Sequence, residues 1–155
     1  MEKVISKYSI SDSLCLVTIN NLPNKTRVVA AVLEKLATEE INLDMISQSI
    51  LVKSDVITLC FTVEEKVVTP ALAALAALKS GEINFNVEIN SANIKLCVYS
   101  ELMPFTPGVA AKVLNALSAR GIEVKMITTS DVDISLLIDD EHEDAAVAAV
   151  KNLCQ

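Results

Sequence analysis

The sequence VVAAVLEKLATEEINLDMISQS, residues 28–49, recurs 81 positions later as VAAKVLNALSARGIEVKMITTS, residues 109–130. Apolar residues in the first part of each copy recur at helical spacing, and those in the second part alternate as in a strand. We expect the match at this offset to run without a gap from residue 15, with the offset falling to 75 beyond residue 49. A repeat of this length is typical of a duplicated structural unit.

Each copy is predicted to fold as strand, helix, strand, strand, helix. The second copy lacks a fourth strand, and residues 4–8 form a short strand with no assigned partner, so we expect this N-terminal strand to complete the second sheet. The sequence therefore predicts an α+β fold of two interleaved βαββαβ domains, residues 13–90 and residues 1–12 plus 91–155. The predicted strands are residues 14–20, 43–50, 56–63, 85–89, 94–100, 122–130 and 132–138. The predicted later helices are residues 70–79, with Pro70 in the first turn, 107–120 and 141–153.

Composition excludes several classes of protein. The 155 residues are 52% hydrophobic and 3% aromatic, with a net charge of −7 and a pI near 4.7. Such apolarity argues against a disordered chain. The longest apolar run, residues 71–78, is far shorter than the roughly 20 residues of a membrane span. An acidic chain poor in aromatic residues is also unsuited to nucleic acid, so we expect neither nucleic-acid nor membrane partners.

Residues that carry chemistry are few. The four cysteines form no C-x-x-C pair, and with no signal peptide visible we expect a reducing, cytoplasmic location. Three glycines cannot build a phosphate-binding loop. The run from Asp139 to Asp144, which includes the single His142, could hold a metal, but acids capping a helix start are the favoured interpretation. We therefore expect no catalytic residue, no metal and no cofactor.

Two turns between a strand and the following helix are more informative. The second turn contains Thr106, which suits a helix N-cap, Pro107, which suits the first helical position, and Gly108, which permits close backbone approach. Amides at such a helix start attract a small carboxylate. Ordinary helix initiation explains the same residues, and both interpretations remain open at this point.

These turns and the strands that follow resemble a known family. Residues 22–25 (LPNK) and 41–48 (INLDMISQ) resemble the first ACT repeat of the aspartokinase regulatory region, and residues 107–111 (PGVAA) and 126–130 (MITTS) resemble the second. Residues 1–5 resemble the start of that region, and the length is similar to that of the separate regulatory subunit of some aspartokinases. The resemblance implies tandem, ferredoxin-like ACT domains and allosteric control of aspartate kinase in lysine and threonine biosynthesis.

The resemblance also implies effector sites at interfaces between ACT units, formed by the strand–helix loop and the start of the second strand. The implied partners are an amino-acid effector, lysine or threonine, a second copy in a homodimer through ACT–ACT contacts, and a kinase catalytic chain or domain. The candidate ligand-binding residues are Asn24, Lys25, Thr26, Arg27, Val28, Asn42, Leu43, Asp44 and Gln48 in the first copy, and Phe105, Thr106, Pro107, Gly108, Val109, Glu123, Val124 and Ile127 in the second.

The chain departs from the family pattern in both copies. Asn24-Lys25-Thr26-Arg27 stands where the family has Asp-Lys-Pro-Gly, and Glu123 replaces the usual Asn. An alternative is therefore an ACT dimerisation module that has lost its ligand and only assembles with a partner enzyme. A third interpretation is a small enzyme on the same scaffold, such as an isomerase, which would depend on His142 or on the acidic run. The kinase catalytic domain is not in this chain.

Overall fold

The computed structural model of the chain describes residues 3–50, 53–79 and 83–154. Residues 1–2 of the family-like opening segment lie outside the described residues. Among the described residues, no helix combines the length and the apolar character that crossing a bilayer requires. The elements are β1 (Lys7–Pro23), α1 (Thr26–Thr38), β2 (Ile46–Ile50), β3 (Val56–Glu64), α2 (Val68–Leu78), β4 (Asn86–Tyr99), α3 (Val109–Ser118), β5 (Met126–Thr129), β6 (Asp133–Asp139) and α4 (Glu143–Lys151).

The chain forms two compact units. The first unit is Leu14–Ser91, and the second unit combines Met1–Ser13 with Ala92–Gln155. The sheet order is β2-β3-β1-β4 in the first unit and β1-β4-β6-β5 in the second, because the long strands β1 and β4 contribute to both. Each long strand has a residue with positive φ where it passes between units, Ser13 at 53° and Ala92 at 61°.

The first unit buries one face of its sheet under two helices. Alternate β1 residues such as Val17 and Ile19 point inward, as the period of two along a strand requires. On α1, Val28, Val32 and Leu36 are buried, and their spacing of four residues places them on one side of the helix. These residues form one contiguous core.

The second unit repeats this arrangement and adds the N-terminal segment to it. Val4 and Ile5 are fully buried in the core of this unit. Ile5 forms a parallel bridge with Cys154, and Ser6 N donates to Tyr99 O at 2.8 Å. The expectation that the N-terminal strand completes the second copy is thus confirmed, together with the α+β fold of two repeats.

The repeat offset is 81 from the first helix to the second strand of each copy, but it differs in the strand that precedes the helix. Val17 lies opposite Phe61 in the first unit, and Leu96 lies opposite Leu136 in the second. Phe61 and Leu136 are equivalent, because β3 and β6 are related by an offset of 75. Their strand partners Val17 and Leu96 are therefore equivalent as well, and the offset between β1 and β4 is 79. The expected gap-free match from residue 15 is therefore wrong. A slip of two residues preserves the alternation of a strand, so the hydrophobic pattern cannot reveal it.

Several predicted boundaries also change. Only residues 7–8 of the strand predicted at 4–8 are in a strand, and they belong to β1 together with the strand predicted at 14–20. The strands predicted at 85–89 and 94–100 are both parts of β4, which spans Asn86–Tyr99. The strands predicted to begin at residues 43 and 122 begin later, at Ile46 and Met126. The last helix begins at Glu143, after a single 3₁₀ turn over Asp140–His142.

Candidate functional site

The loop between β1 and α1 is exposed and positively charged. Lys25 is the N-cap of α1, in an extended conformation and without a side-chain hydrogen bond to the helix, and no acidic residue stands in the first turn. Asn24 to Arg27 are exposed, whereas Val28 is buried in the core. Two cationic side chains, Lys25 and Arg27, therefore stand at the positive end of the helix dipole, where an anion is favoured.

Asn24 fixes this loop to the neighbouring turn. Its backbone N donates to Asp55 O at 2.8 Å, and its Nδ2 donates to Ser54 O at 3.3 Å. The turn before β3 and the loop before α1 are thus held side by side. Asn24 has a positioning role in addition to its place among the candidate ligand-binding residues.

A shallow, solvent-open depression lies beside this loop. Thr58 Oγ1 donates to Asn20 Oδ1 at 3.3 Å, and Asn21 has a positive φ of 60° at a register shift in β1. Sequence reasoning missed these residues, although an Asn-Asn pair that ends an alternating strand is a recognisable signal, since Asn tolerates left-handed conformations. The lining residues are Asn20, Asn21, Ser49, Val56, Ile57 and Thr58.

The other first-copy candidates lie farther along the sheet. Asp44 N donates to Thr62 O at 3.1 Å, and Thr62 lies opposite Leu16 in β1. Asn24 bonds to Asp55, which is seven residues from Thr62 along the chain, so the two groups are separated by roughly 23 Å along the strand direction. Within the first unit, the structure therefore does not bring Asn42, Leu43 and Asp44 to the helix-start loop. Gln48 lies between the two groups, opposite Leu59.

The loop before α3 differs from its predicted geometry. Gly108 is the N-cap, with φ 92° and ψ 5°, and Lys112 N donates to Gly108 O at 3.0 Å. The prediction of Thr106 as N-cap and Pro107 as first helical residue is wrong, because a left-handed residue at 108 cannot belong to a right-handed helix. Thr106 is half-buried and Pro107 exposed, while Val109 is the first residue of α3 and buried. The Phe105 side chain is 84% exposed.

Ser100 anchors the beginning of this loop and was not predicted. Its buried hydroxyl donates to Val4 O at 2.5 Å and accepts a hydrogen bond from Leu102 N at 3.2 Å. A single side chain thus joins the loop to the N-terminal segment of the same unit. The repeat gave no indication of this role, because a lone Ser at a strand end is compatible with many local structures.

The remaining second-copy candidates surround the start of β5. Glu123 is exposed, Val124 packs against the core, and Ile127 is 42% exposed. Lys125 N donates to Leu137 O, and Leu137 lies opposite Lys95 in β4. The loop before α3 begins five residues beyond Lys95, roughly 17 Å away. As in the first unit, the two groups of candidates lie at different ends of the sheet.

The acidic run does not cap a helix through its side chains. Neither Asp139 nor His142, the N-caps of the 3₁₀ turn and of α4, makes a side-chain cap hydrogen bond. The capping prediction is wrong in that respect. Glu143 and Asp144 nevertheless lie in the first turn of α4, where their negative charges interact favourably with the helix dipole. Asp139, Glu141 and His142 have ligand atoms within 4.8 Å of one another, but Asp139 forms an ion pair with a lysine.

The cysteines are all free. Burial raises the pKa of the Cys15 thiol, while a hydrogen bond from Ser91 Oγ at 3.8 Å acts in the opposite direction. A buried thiol with a raised pKa is a poor nucleophile at neutral pH. Cys15 therefore behaves as a small apolar core residue.

Comparisons with known proteins identify relatives over most of the chain. The ACT domain family profile matches residues 17–78 and 96–153. An aspartokinase from Mycolicibacterium smegmatis is 35% identical over 136 residues, which is 86% of this chain and 32% of that protein. An aspartokinase from Geobacillus stearothermophilus is 28% identical over 93% of this chain and 34% of that protein. The chain thus spans about a third of the length of these curated relatives.

Two solved structures show the same fold. The ligand-free regulatory subunit of aspartate kinase from Thermus thermophilus has a TM-score of 0.88 at 27% identity, covering 99% of this chain and 100% of that chain. The aspartate kinase from Synechocystis has a TM-score of 0.87 at 25% identity, covering 97% of this chain and 27% of that chain. The first match is therefore end to end, and the second is to a part of a longer protein.

Proposed function

The chain belongs to the ACT domain family, and from that premise we propose that it binds a free amino acid and thereby controls an aspartate kinase. It is a regulatory and not a catalytic chain, because its end-to-end structural match is an isolated regulatory subunit and only ACT domains are recognised in it. The kinase would be carried by a partner chain or by the rest of a longer polypeptide. Control requires that the ligand bind one arrangement of the assembly more tightly than another.

The observation that carries this proposal is the cationic start of α1 beside the polar depression. The carboxylate of an amino acid would lie at the helix start, where Lys25 and Arg27 offset the negative charge of the chain. Its ammonium would meet oxygens of the depression, which Asn20, Ser49 and Thr58 supply. Val56 lines the depression and pairs with Pro23 at the end of β1, so the two features adjoin.

We further propose that each complete site combines the helix-start loop of one ACT unit with the second-strand residues of another. The separation of the two candidate groups within each unit supports this arrangement. Ile46 and Ile127, on the edge strands β2 and β5, are 46% and 42% exposed. Exposed apolar side chains on an unpaired strand edge favour pairing with another chain. A homodimer through ACT–ACT contacts would supply the second unit.

Lysine and threonine are the first effectors to test, and the cytoplasm is the proposed location. The effectors follow from the family resemblance. The location is supported by the four free cysteines, which are typical of a reducing compartment. Neither statement changes the chemistry proposed for the site, which requires only a carboxylate and an ammonium.

Thermal-shift measurements of the chain with each of the twenty amino acids test the proposal. At 100 times its dissociation constant a ligand stabilises by about 2.7 kcal/mol, which raises Tm by roughly 5–11 °C for a chain of this size. Lys25→Ala combined with Arg27→Ala should abolish the shift. Lys35→Ala, which removes an exposed ion pair with Glu39, is the matched control and should retain it. A folded, dimeric protein that none of the twenty stabilises would contradict the sensing role.

The second candidate function is a ligand-free ACT module that only assembles with a partner enzyme. The departure of Thr26 and Arg27 from the family's Pro-Gly favours it. Thr26 is the first residue of α1, where proline is well tolerated, so Thr26→Pro with Arg27→Gly is compatible with the fold. If the site has degenerated at these positions, the double substitution should create amino-acid binding that the natural sequence lacks. If the doubly substituted protein also fails to bind an amino acid, degeneration at these two positions is not the cause.

A further inference from the structure

A polar cluster that the sequence did not predict holds the start of β5. Lys125 Nζ donates to Asn93 Oδ1 at 2.7 Å and forms an ion pair with Asp139 Oδ1. Asn93 and Asp139 lie directly opposite each other in β4 and β6. Asn93 is fully buried, and the side chains of Lys125 and Asp139 are 21% and 45% exposed. Lys125, Asn93 and Asp139 are called the ammonium cluster below.

The first unit has the same strand pair at this place with different chemistry. Leu14 lies directly opposite Glu64, at positions that correspond to Asn93 and Asp139 by the offsets of 79 and 75. The carboxylate is thus present in both units. The amide oxygen is present only in the second, since a leucine side chain offers no hydrogen-bond acceptor.

The third member of the cluster also differs between the units. Asp44 N donates to Thr62 O at 3.1 Å, and Lys125 N donates to Leu137 O at 2.8 Å, again at offsets of 81 and 75. The backbone before the second strand is therefore equivalent in the two units. The first unit carries a carboxylate where the second carries an ammonium, so the duplicated fold does not require the cluster.

We propose that Asn93 and Asp139 form a socket for a primary ammonium group, which Lys125 of the same chain fills. A carboxylate oxygen and an amide oxygen that converge on one nitrogen are complementary to the donors of an alkylammonium ion. Because Lys125 is tethered, its ammonium reaches the socket without the loss of translational freedom that a free amine would incur. The socket is therefore closed to amines in solution.

A filled socket restricts where an effector can bind, a statement that rests on the proposed function. In the second unit, the Lys125 ammonium already occupies the position before β5, so the ammonium of an effector cannot enter the socket there. The second unit then contributes no separate effector site at that strand. We expect the ammonium of a bound effector to contact oxygens of the depression in the first unit and not the socket.

The Lys125→Ala variant tests the socket directly. The substitution removes three carbons and the ammonium, a group that n-propylammonium matches. Loss of the cation should lower Tm by roughly 3–9 °C, because buried Asn93 loses a donor and Asp139 loses its counter-ion. Added n-propylammonium should restore part of this loss in a concentration-dependent manner, whereas neutral n-propanol should not. Wild-type protein should not respond, since its socket is filled.

Two controls make the response specific. Lys35→Ala also removes an ion-paired lysine, but from an exposed pair on α1, and should show no selective response to n-propylammonium. Adding Asp139→Asn to Lys125→Ala should abolish the response, because the socket then lacks its charge. Folded Lys125→Ala that responds equally to n-propylammonium and n-propanol would overturn the proposal.

The remaining outcomes are also decisive. If Lys125→Ala does not fold, the exchange of the Lys125 Nζ hydrogens with solvent is measured by NMR in the wild-type protein instead. This exchange should be slow, and Asp139→Asn should accelerate it. Fast exchange in the wild-type protein would overturn the socket. The alkylammonium response involves no effector, so failure of every amino acid to bind contradicts the proposed function alone.

Discussion

Replacing Gly108 by alanine separates the observed helix start from the one that the sequence pattern predicts. The pattern places Gly108 inside α3, after Pro107, where an alanine should stabilise the helix by about 0.5–1 kcal/mol. The structure places Gly108 outside the helix at φ 92°, and apart from the glycine and its two chain neighbours no atom lies within 4 Å of the position that a Cβ would occupy. A steric clash is therefore absent, and only backbone strain remains.

The magnitude follows from that strain. A left-handed conformation costs a residue with a Cβ roughly 1–2 kcal/mol, and the reduced freedom of the unfolded chain returns about 0.4–1 kcal/mol. We expect Gly108→Ala to destabilise the protein by about 1 kcal/mol, measured as the free energy of unfolding in urea. Gly121→Ala is the matched control, since Gly121 also has a positive φ, 69°, and open space around its Cβ position. Gly108→Ala that stabilises the protein while Gly121→Ala destabilises it would refute the left-handed N-cap.

Three further predictions concern the cores and the loop anchor. Leu117→Ala should lower the free energy of unfolding by about 2–5 kcal/mol, because Leu117 is fully buried, whereas Leu114→Ala on the same helix, at a partly exposed site, should cost clearly less. Ser100→Ala should cost about 1–3 kcal/mol in the same urea assay, since Val4 O and Leu102 N both lose their hydroxyl partner; a neutral result would contradict the anchoring role. Cys15 should be alkylated more slowly in the native than in the urea-unfolded protein at pH 8, because burial shields the thiol and its raised pKa lowers the fraction of reactive thiolate. The raised pKa also makes stability depend on pH. The contribution of Cys15 to the free energy of unfolding is fully present below the ordinary pKa of a thiol and is lost as the pH rises through the pKa of the native state. Equal alkylation rates in the two states would contradict this assignment.

The sequence was most informative where burial depends on periodicity. The inward-facing residues of β1 and α1, such as Val17 and Val32, follow directly from spacings of two and about four. The unpaired N-terminal strand predicted the interleaving, because a sheet with a missing strand has to obtain one elsewhere. The resemblance to the aspartokinase regulatory region is likewise confirmed by the ACT matches and by the end-to-end structural match.

The site was less accessible to sequence reasoning. Residues that the family resemblance assigns to the same kind of site, such as Asn24 and Asp44, lie at different ends of the sheet in the first unit. Asn24 bonds to Asp55, just before β3, whereas Asp44 bonds to Thr62, near the end of β3. The depression beside the loop depends on an irregular register in β1. Such a register is a property of strand pairing, which involves residues far apart in the chain. The residue assignments for the site therefore remain a proposal for mutagenesis.

Local and repeated patterns in the chain were enough to establish the duplication, the order of elements and the identity of the buried faces. These properties depend on apolar periodicity, which acts over a few neighbouring residues. The two-residue slip of β4, the left-handed Gly108 and the ammonium cluster depend instead on which distant residues are brought together. Lys125, Asn93 and Asp139 are separated by 14 to 46 positions along the chain, and the hydrogen bonds that join them exist only once β4, β5 and β6 have paired.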